Sequence, residues 1–543
     1  MTAQTFRGAH ALVQSLRALG VRRIFTLSGN HIMPVFDAVL DAGIDLVHVR
    51  HEAAAVHMAD AHARLTGGPG IAMVTGGPGH ANAVGALYTA RMAESPVVLL
   101  SGHAPVGQLG MGAFQEMGQA EIAAPLAKAS WMNESADSVG DDVARAVQIA
   151  LAGRPGPVHL SLPSDCLERE AAASPAHTGV RAGSDPGTLF DARPFVERLR
   201  AARRPLILTG PVSVTHVGRE RMARLEEAAG IAVVGMESPR GIADPSLGAF
   251  AEILAQADCV LLLGKRLDFT LKFGKAPALR AQCEFLQIDA EAAEIERTRR
   301  AVGARLAAHA TASAFAAADA LAAEARKQSP IAGAWREEVR AAIAYRPAAW
   351  DTAASSQGAR LHPVQALRPL QALLDAHPES VFISDGGEVG QWAQACLAAP
   401  HRVINGVAGS IGASLPFAVA ARLALPEAPV VAVMGDGTFG FHPAEIDTAV
   451  RYGLAFVLVV GNDARWNAEY QIQVREYGRE RARGCELRPS RYDQVAAAFG
   501  GFGELVTEAG EVLPAARRAQ ASRLPACLNI MIEGVAAPNI KRG

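Results

Sequence analysis

Short apolar runs alternate with longer stretches of helical periodicity along the whole chain. Near the start, Arg23–Ser28, Leu46–Arg50, Ile71–Thr75 and Val97–Ser101 read as strands, with helical segments between them. Runs of Val, Ile and Leu without polar alternation mark strands covered on both faces, as in parallel sheets. A polar, Pro- and Gly-containing stretch at about Glu168–Gly187 interrupts the rhythm and reads as a linker. A second series follows, with strands Pro205–Thr209, Ala232–Gly235, Cys259–Leu263 and Phe285–Ile288, and closes on the helical segment Ala312–Ala325. Another break spans Arg346–His362. The third series has strands at Val381–Ser384, Val430–Met434, Phe456–Val460 and Leu528–Ile532. The pattern predicts an α/β protein of three doubly wound parallel-sheet domains, at 1–170, 188–335 and 360–543. No short-period repeat is visible.

Composition narrows the partners. The 543 residues carry 52 Lys and Arg against 54 Asp and Glu, a formal net charge of −2. Without a basic excess, neither nucleic acid nor an anionic membrane is indicated, and a small-molecule substrate is expected. No apolar run reaches the roughly 18 residues of a membrane span. Met1–His10 lacks the apolar core of a signal peptide. The six cysteines are scattered and form no C-x-x-C, which argues against a zinc site or a disulfide scaffold. A reducing cytoplasm is the expected compartment.

The strongest chemical signal begins at Val430. A buried strand stops at Gly435-Asp436-Gly437-Thr438, Pro443–Tyr452 reads as a helix, and the strand Phe456–Val460 ends at Gly461-Asn462-Asp463. This βαβ unit places polar groups at the carboxyl ends of both strands, where open parallel sheets bind ligands. The glycines let backbone N–H groups approach phosphate oxygens. Asp436 and Asp463 supply hard oxygen ligands suited to Mg²⁺, an ion that is commonly shared with a phosphate. Ordinary strand-end turns also contain Gly and Asp. Two such ends in one βαβ unit favour the phosphate-and-metal reading.

Here the sequence resembles the thiamine diphosphate-dependent enzymes, whose signature is G-D-G followed by N-N. The resemblance implies a metal held by Asp436, Asp463 and the main-chain carbonyl of Arg465, with Gly435, Gly437 and Thr438 at the diphosphate. Asp463 stands where Asn is usual, which adds a negative charge. Gly409-Ser410-Ile411-Gly412 resembles the segment that bends the cofactor, with Ile411 as the wedge between its rings and the Gly409 carbonyl accepting from the 4′-amino group. Asp385-Gly386-Gly387-Glu388 resembles a diphosphate-contacting turn through Gly387 and Glu388, although a helix N-cap reads equally well.

The same family predicts a glutamate in the first domain. His51-Glu52-Ala53-Ala54-Ala55 matches its R/H-E-A-A-A pattern, at a strand-to-helix junction. A carboxylate there would in any case gain from the helix N-terminus. In the family this glutamate binds N1′ of the aminopyrimidine and promotes proton loss at C2 of the thiazolium. Val74-Thr75-Gly76-Gly77-Pro78-Gly79 and then Asn82 resembles the family's S/T-G-P-G-x-x-N loop; the third glycine of a dinucleotide loop is missing. The family order implies a homodimer or homotetramer, with each site between the first domain of one chain and the third of another.

Within the family the segments point in three directions. Met111-Gly112-Ala113-Phe114-Gln115-Glu116 and Gly264-Lys265-Arg266-Leu267-Asp268-Phe269 resemble 2-hydroxyacyl-CoA lyases and oxalyl-CoA decarboxylases. Gly29-Asn30-His31 resembles benzaldehyde lyase, where this His and a Gln matching Gln115 handle substrate oxygens; a neutral His31 can shuttle protons. Acetolactate synthase is the third relative, but its lysine after the G-P-V strand is replaced by Ser164. The expected activity is that of a lyase or carboligase on a 2-hydroxy ketone or 2-hydroxyacyl thioester. Decarboxylation of a 2-keto acid with carboligation is the alternative, and a non-catalytic cofactor-binding relative is the alternative of another class. Whether the central domain holds FAD, ADP or neither stays open.

Overall fold

The apolar runs become three all-parallel sheets in the computed structural model, which describes residues 6–171, 190–331 and 333–542. The linker expected at Glu168–Gly187 lies mostly outside the described residues. Contacts separate the chain into two units, Met1–Ser184 and Asp185–Gly543.

In the first unit the strands are β1 (Arg23–Thr26), β2 (Asp45–His48), β3 (Gly70–Val74), β4 (Val97–His103), β5 (Ser130–Met132) and β6 (Val158–Pro163). Their spatial order is β2-β1-β3-β4-β6-β5. Every residue of β3, β4 and β6 is buried, because helices cover both faces. That is why these strands read as unbroken apolar runs.

The second unit holds two sheets. The central one contains β7 (Pro205–Thr209), β8 (Val233–Gly235), β9 (Cys259–Leu263), β10 (Glu284–Asp289) and β11 (Leu306–Thr311), in the order β11-β10-β9-β7-β8. The helix Ala334–Ala344 packs Val339 and Ala342 into the core on one of its faces. The last sheet contains β12 (Val381–Ser384), β13 (His401–Ile404), β14 (Val430–Gly435), β15 (Phe456–Asn462), β16 (Phe502–Val506) and β17 (Pro525–Met531). Its order, β13-β12-β14-β15-β17-β16, repeats that of the first sheet strand for strand. The first and last domains are thus two copies of one topology, which no short-period sequence repeat reveals.

The sequence pattern misses β5, β11, β13 and β16. All four are edge strands, and three of them (β5, β11 and β16) are largely half-exposed, so they carry no unbroken apolar run. Among the described residues no helix is long and apolar enough to cross a membrane, and all six cysteines are free thiols.

Topology places the chemistry. In each outer domain the strand order reverses between its first and third strands, which opens a crevice at their carboxyl ends. In the first domain these ends carry Gly29-Asn30-His31 and Thr75-Gly76-Gly77. In the last they carry Asp385-Gly386-Gly387 and Gly435-Asp436-Gly437.

Candidate active site

In the last domain β14 turns directly into a short helix, Asp436–Phe439. Thr438 Oγ1 donates to the Gly435 carbonyl at 3.0 Å and closes that turn. Gly437 has no room for a side chain: a Cβ would lie 2.7 Å from the Trp466 ring. Trp466 follows the turn after β15, so the two strand ends are packed together. Asn462, fully buried, ties that second turn down. It donates to the Ser490 carbonyl at 3.1 Å and to Asn529 Oδ1 at 3.0 Å, and accepts from Ala464 N–H at 3.2 Å.

The electrostatics of this corner call for a cation. Asp436 is 3% exposed, and its Oδ2 is buried without a hydrogen-bond partner. Burial pushes its carboxyl up to about 6, although backbone N–H groups of Gly437, Arg465 and Ala464 act in the opposite direction. Asp463 is pushed up to about 8, first by burial and then by the negative charge of Asp436. A buried carboxylate with an orphaned oxygen and a half-buried one whose ionisation its charge opposes form a donor set that a hard divalent cation satisfies. Among the described residues no group of three or more His, Cys, Asp or Glu is arranged to hold a metal. A metal here therefore depends on main-chain oxygen and on its own ligands as well as on these two carboxylates.

The neighbouring loop is held by Asp385, at the end of β12. Its buried carboxylate accepts from Gly386 N–H at 2.8 Å, from Gly412 N–H at 2.9 Å and from Ser414 N–H at 3.1 Å. Burial raises its pKa against these hydrogen bonds. The sequence reads this segment as a diphosphate turn or a helix cap; Asp385 itself is a clip that fixes the loop carrying Gly409 and Ile411. Gly409 and Gly412 have φ of 67° and 90°, a conformation open to glycine. Ile411 presses on Gly386, where a Cβ would sit 2.7 Å from Ile411 Cγ2. Asp385→Ala would leave three amides without an acceptor, so we expect a loss of roughly 3 kcal/mol in stability, read as a lowered chemical-denaturation midpoint. An unchanged midpoint would refute the clip.

Gly387, with φ of 76°, has nothing within 4 Å of its would-be side chain and presents open backbone. Glu388 is engaged otherwise. Its carboxylate pairs with Arg240 at 3.1 Å and accepts from Ala537 N–H at 3.0 Å. The central domain thus reaches the same loop region: a Cβ on Gly409 would lie 3.9 Å from Pro239. Nothing in the sequence around Arg240 announces this pairing.

In the first domain Glu52 is the first residue of the helix Glu52–Thr66, capped by His51, whose Nδ1 accepts from Ala53 N–H. Glu52 Oε2 accepts from Asn82 Nδ2 at 3.0 Å. A Cβ on Gly79 would be 3.5 Å from Glu52 Oε1, so the Thr75–Asn82 segment is folded against this carboxylate. His31 is 5% exposed, and its Nδ1 lies 3.0 Å from Thr75 Oγ1. Burial lowers its pKa, against a hydrogen bond to the Phe114 carbonyl. Burial thus disfavours the imidazolium; in the neutral ring the proton lies toward the Phe114 carbonyl, which can only accept, and Nδ1 accepts from Thr75. The Phe114 ring stacks on His31 at 6.1 Å. Gln115 follows, with φ of 59°, packed against Gly77. Glu116 shapes the loop by accepting from Gly110 and Ala113 N–H at 2.6 and 3.1 Å. Ser164 opens the short helix after β6.

The first domain therefore brings Glu52 to Asn82 and His31 to Phe114, the neighbour of Gln115, and the last brings Asp436 to Asp463. Three family models match the chain in this order. They are the N-terminal thiamine pyrophosphate-binding domain at residues 6–122, the central domain at 193–318 and the C-terminal thiamine pyrophosphate-binding domain at 385–530. An acetolactate synthase large subunit of Mycobacterium tuberculosis is 33% identical, over 98% of this chain and 96% of its own length. A 2-hydroxyacyl-CoA lyase of Arabidopsis thaliana is 27% identical over 98% and 96% of the two chains. A human 2-hydroxyacyl-CoA lyase 2 is 29% identical over 98% and 90%. Similarity sustained over nearly the whole length, with the domains in sequence, places the chain in the thiamine pyrophosphate enzyme family, as a thiamine diphosphate-dependent enzyme that forms or cleaves carbon–carbon bonds.

Proposed function

We propose that the enzyme is a Mg²⁺-dependent lyase or carboligase acting next to a carbonyl, on a 2-hydroxy ketone or a 2-hydroxyacyl-CoA. The observation that carries this reading is His31, whose charged form burial disfavours, stacked on Phe114 at the carboxyl edge of the first sheet, with the adjoining Gln115 packed against Gly77. A neutral imidazole and an amide suit a hydroxyl and a carbonyl oxygen better than they suit a carboxylate. Ser164, where the acetolactate synthase pattern has lysine, supports the same choice.

Asp436, Asp463 and the Arg465 carbonyl would hold the metal. Gly435, Gly437, Thr438 and Gly387 would offer their backbone to the diphosphate, and the loop of Gly409 and Ile411 would face the cofactor. Once bound, thiamine diphosphate supplies a nucleophilic carbon and an electron sink. Glu52, held by Asn82, would share a proton with the aminopyrimidine. His31 exchanges its bond to the Phe114 carbonyl for one to the substrate hydroxyl, which requires the loop at Phe114 to move aside.

The second reading is carboligation after decarboxylation of a 2-oxo acid. It is favoured by the 33% identity to a protein named acetolactate synthase. Product analysis with benzoin, a 2-hydroxyacyl-CoA, formaldehyde and pyruvate side by side separates the two. Aldehyde release from benzoin or the 2-hydroxyacyl-CoA is expected, and acetolactate from pyruvate alone would reverse the order. The domain limits 1–170, 188–335 and 360–543, a homodimeric or homotetrameric assembly and a cytoplasmic location belong to the same proposal. An absorbance spectrum of the purified protein tests for FAD in the central domain.

A further inference from the structure

Gln119 is a buried amide that the sequence does not single out, and it sits under the turn at Gly77. It is 1% exposed, at the start of the helix Gln119–Ala123. Its Oε1 accepts from Gly77 N–H at 2.8 Å. Its Nε2 donates to the Gly102 carbonyl at 3.1 Å and to Ser161 Oγ at 3.0 Å. These partners lie beyond the end of β3, within the end of β4 and within β6, so one side chain cross-links the carboxyl edge of three strands.

The two glycines it holds are those against which the substrate-facing residues rest. A Cβ on Gly77 would meet Gln115 Cβ at 2.8 Å, and a Cβ on Gly102 would meet His31 Cβ at 2.5 Å. Thr75, the partner of His31 Nδ1, is two residues before Gly77.

The amide is itself locked by a consistent chain of donors. Ser130 Oγ donates to the Ala120 carbonyl at 2.8 Å, so it must accept from His159 Nδ1, also at 2.8 Å. His159 Nε2 then accepts from Ser161 Oγ at 3.4 Å, which leaves that oxygen free to accept from Gln119. The chain requires a neutral His159, and burial holds its pKa well below the ordinary value. With every role fixed, the amide has one orientation, with oxygen toward Gly77.

We infer that Gln119 is a positioning residue that sets the placement of His31 and Gln115 together. The inference rests on the proposed roles of those two residues. In Gln119→Leu, kcat on the best substrate of the panel should fall about 10- to 100-fold, the scale of a misplaced catalytic group, with KM little changed. The C2 proton exchange of bound thiamine diphosphate depends on Glu52 and should stay at the parent rate. A fall in exchange equal to the fall in kcat would make the effect general damage and overturn the inference, as would a kcat within twofold of the parent.

A readout independent of turnover is the ring-nitrogen resonance pair of His31 in ¹⁵N-histidine-labelled protein, assigned through His31→Gln. The parent should show a single tautomer and Gln119→Leu a mixture; identical signals would also overturn the inference. If the parent turns over nothing in the panel, the proposed function fails while these resonances still decide on Gln119. Should Gln119→Leu not fold, Ser161→Ala removes one arm of the network. The His31 signals should then move in the same direction, and their not moving counts against Gln119.

Discussion

Glu52→Gln protein should fold like the parent, bind its cofactor and exchange the C2 proton at least about 100-fold more slowly, with turnover falling in step. The magnitude is that of a lost general acid–base group, about 10²- to 10⁴-fold. Substitution by Gln keeps an oxygen for Asn82 Nδ2 and nearly the same volume, so the contact at 3.0 Å can persist. The change removes one negative charge at the N-terminus of the helix Glu52–Thr66. An anion at that position adds about 0.3–1 kcal/mol, so the thermal midpoint should move by only a few degrees. Stability and catalysis are therefore separable at this residue. Hydrogen–deuterium exchange at C2, followed by NMR after acid quench, measures the effect directly. Equal rates in variant and parent would remove Glu52 from catalysis.

The second large effect concerns the two carboxylates in the last domain. Both bind a proton more tightly in the folded chain than in the unfolded one. Their contribution to stability is thus complete below the ordinary value of 3.8. It is lost as pH rises through about 6 for Asp436 and about 8 for Asp463. Cofactor-free protein should accordingly melt at lower temperature at pH 8 than at pH 5 through this pair. Adding Mg²⁺ with thiamine diphosphate should reverse the trend, because a cation binds the ionised pair. Binding should tighten between pH 6 and pH 8, where protons must leave for the metal to enter.

Asp463→Asn removes the group that must lose its proton between pH 6 and pH 8, so its metal affinity should depend less on pH in that window. Asp463→Ala should weaken binding of the Mg²⁺–cofactor pair by at least about tenfold, the scale of a disturbed metal site. Calorimetric titration of cofactor-free protein at the two pH values checks both variants. Parent affinity that is flat from pH 6 to pH 8, or Asp463→Ala binding as tightly as the parent, would contradict this account.

The features legible in the sequence are local. The βαβ unit from Val430 to Asp463 is contiguous, and its two turns carry Gly, Asp and Asn where backbone geometry favours them. Reading it needs only strand periodicity and turn chemistry. Gly77 in its turn is legible for the same reason, whereas Glu52 at its helix start is legible only through its match to the family's R/H-E-A-A-A pattern. The edge strands β5, β11, β13 and β16 are not, since an edge position is a property of the finished sheet.

Partners of buried polar groups were equally out of reach. Asp385 accepts from amides of Gly412 and Ser414 on a separate segment of the chain. Glu388 pairs with Arg240 of another domain. Gln119 sits close to Gln115 in sequence, yet its role depends on Gly77, Gly102 and Ser161 arriving at one edge.

By itself, then, the sequence determined the α/β class, the three series of strands, the candidate carboxylates and the glycines that need unusual backbone angles. These follow from short-range sterics and from the burial of apolar runs. Only the tertiary structure decided which polar groups meet, how strongly Asp436 and Asp463 resist ionisation, and that burial between Thr75 and Phe114 disfavours the charged form of His31. A buried dipole or charge takes whatever partner the packing delivers, and its pKa follows from the water that packing removes.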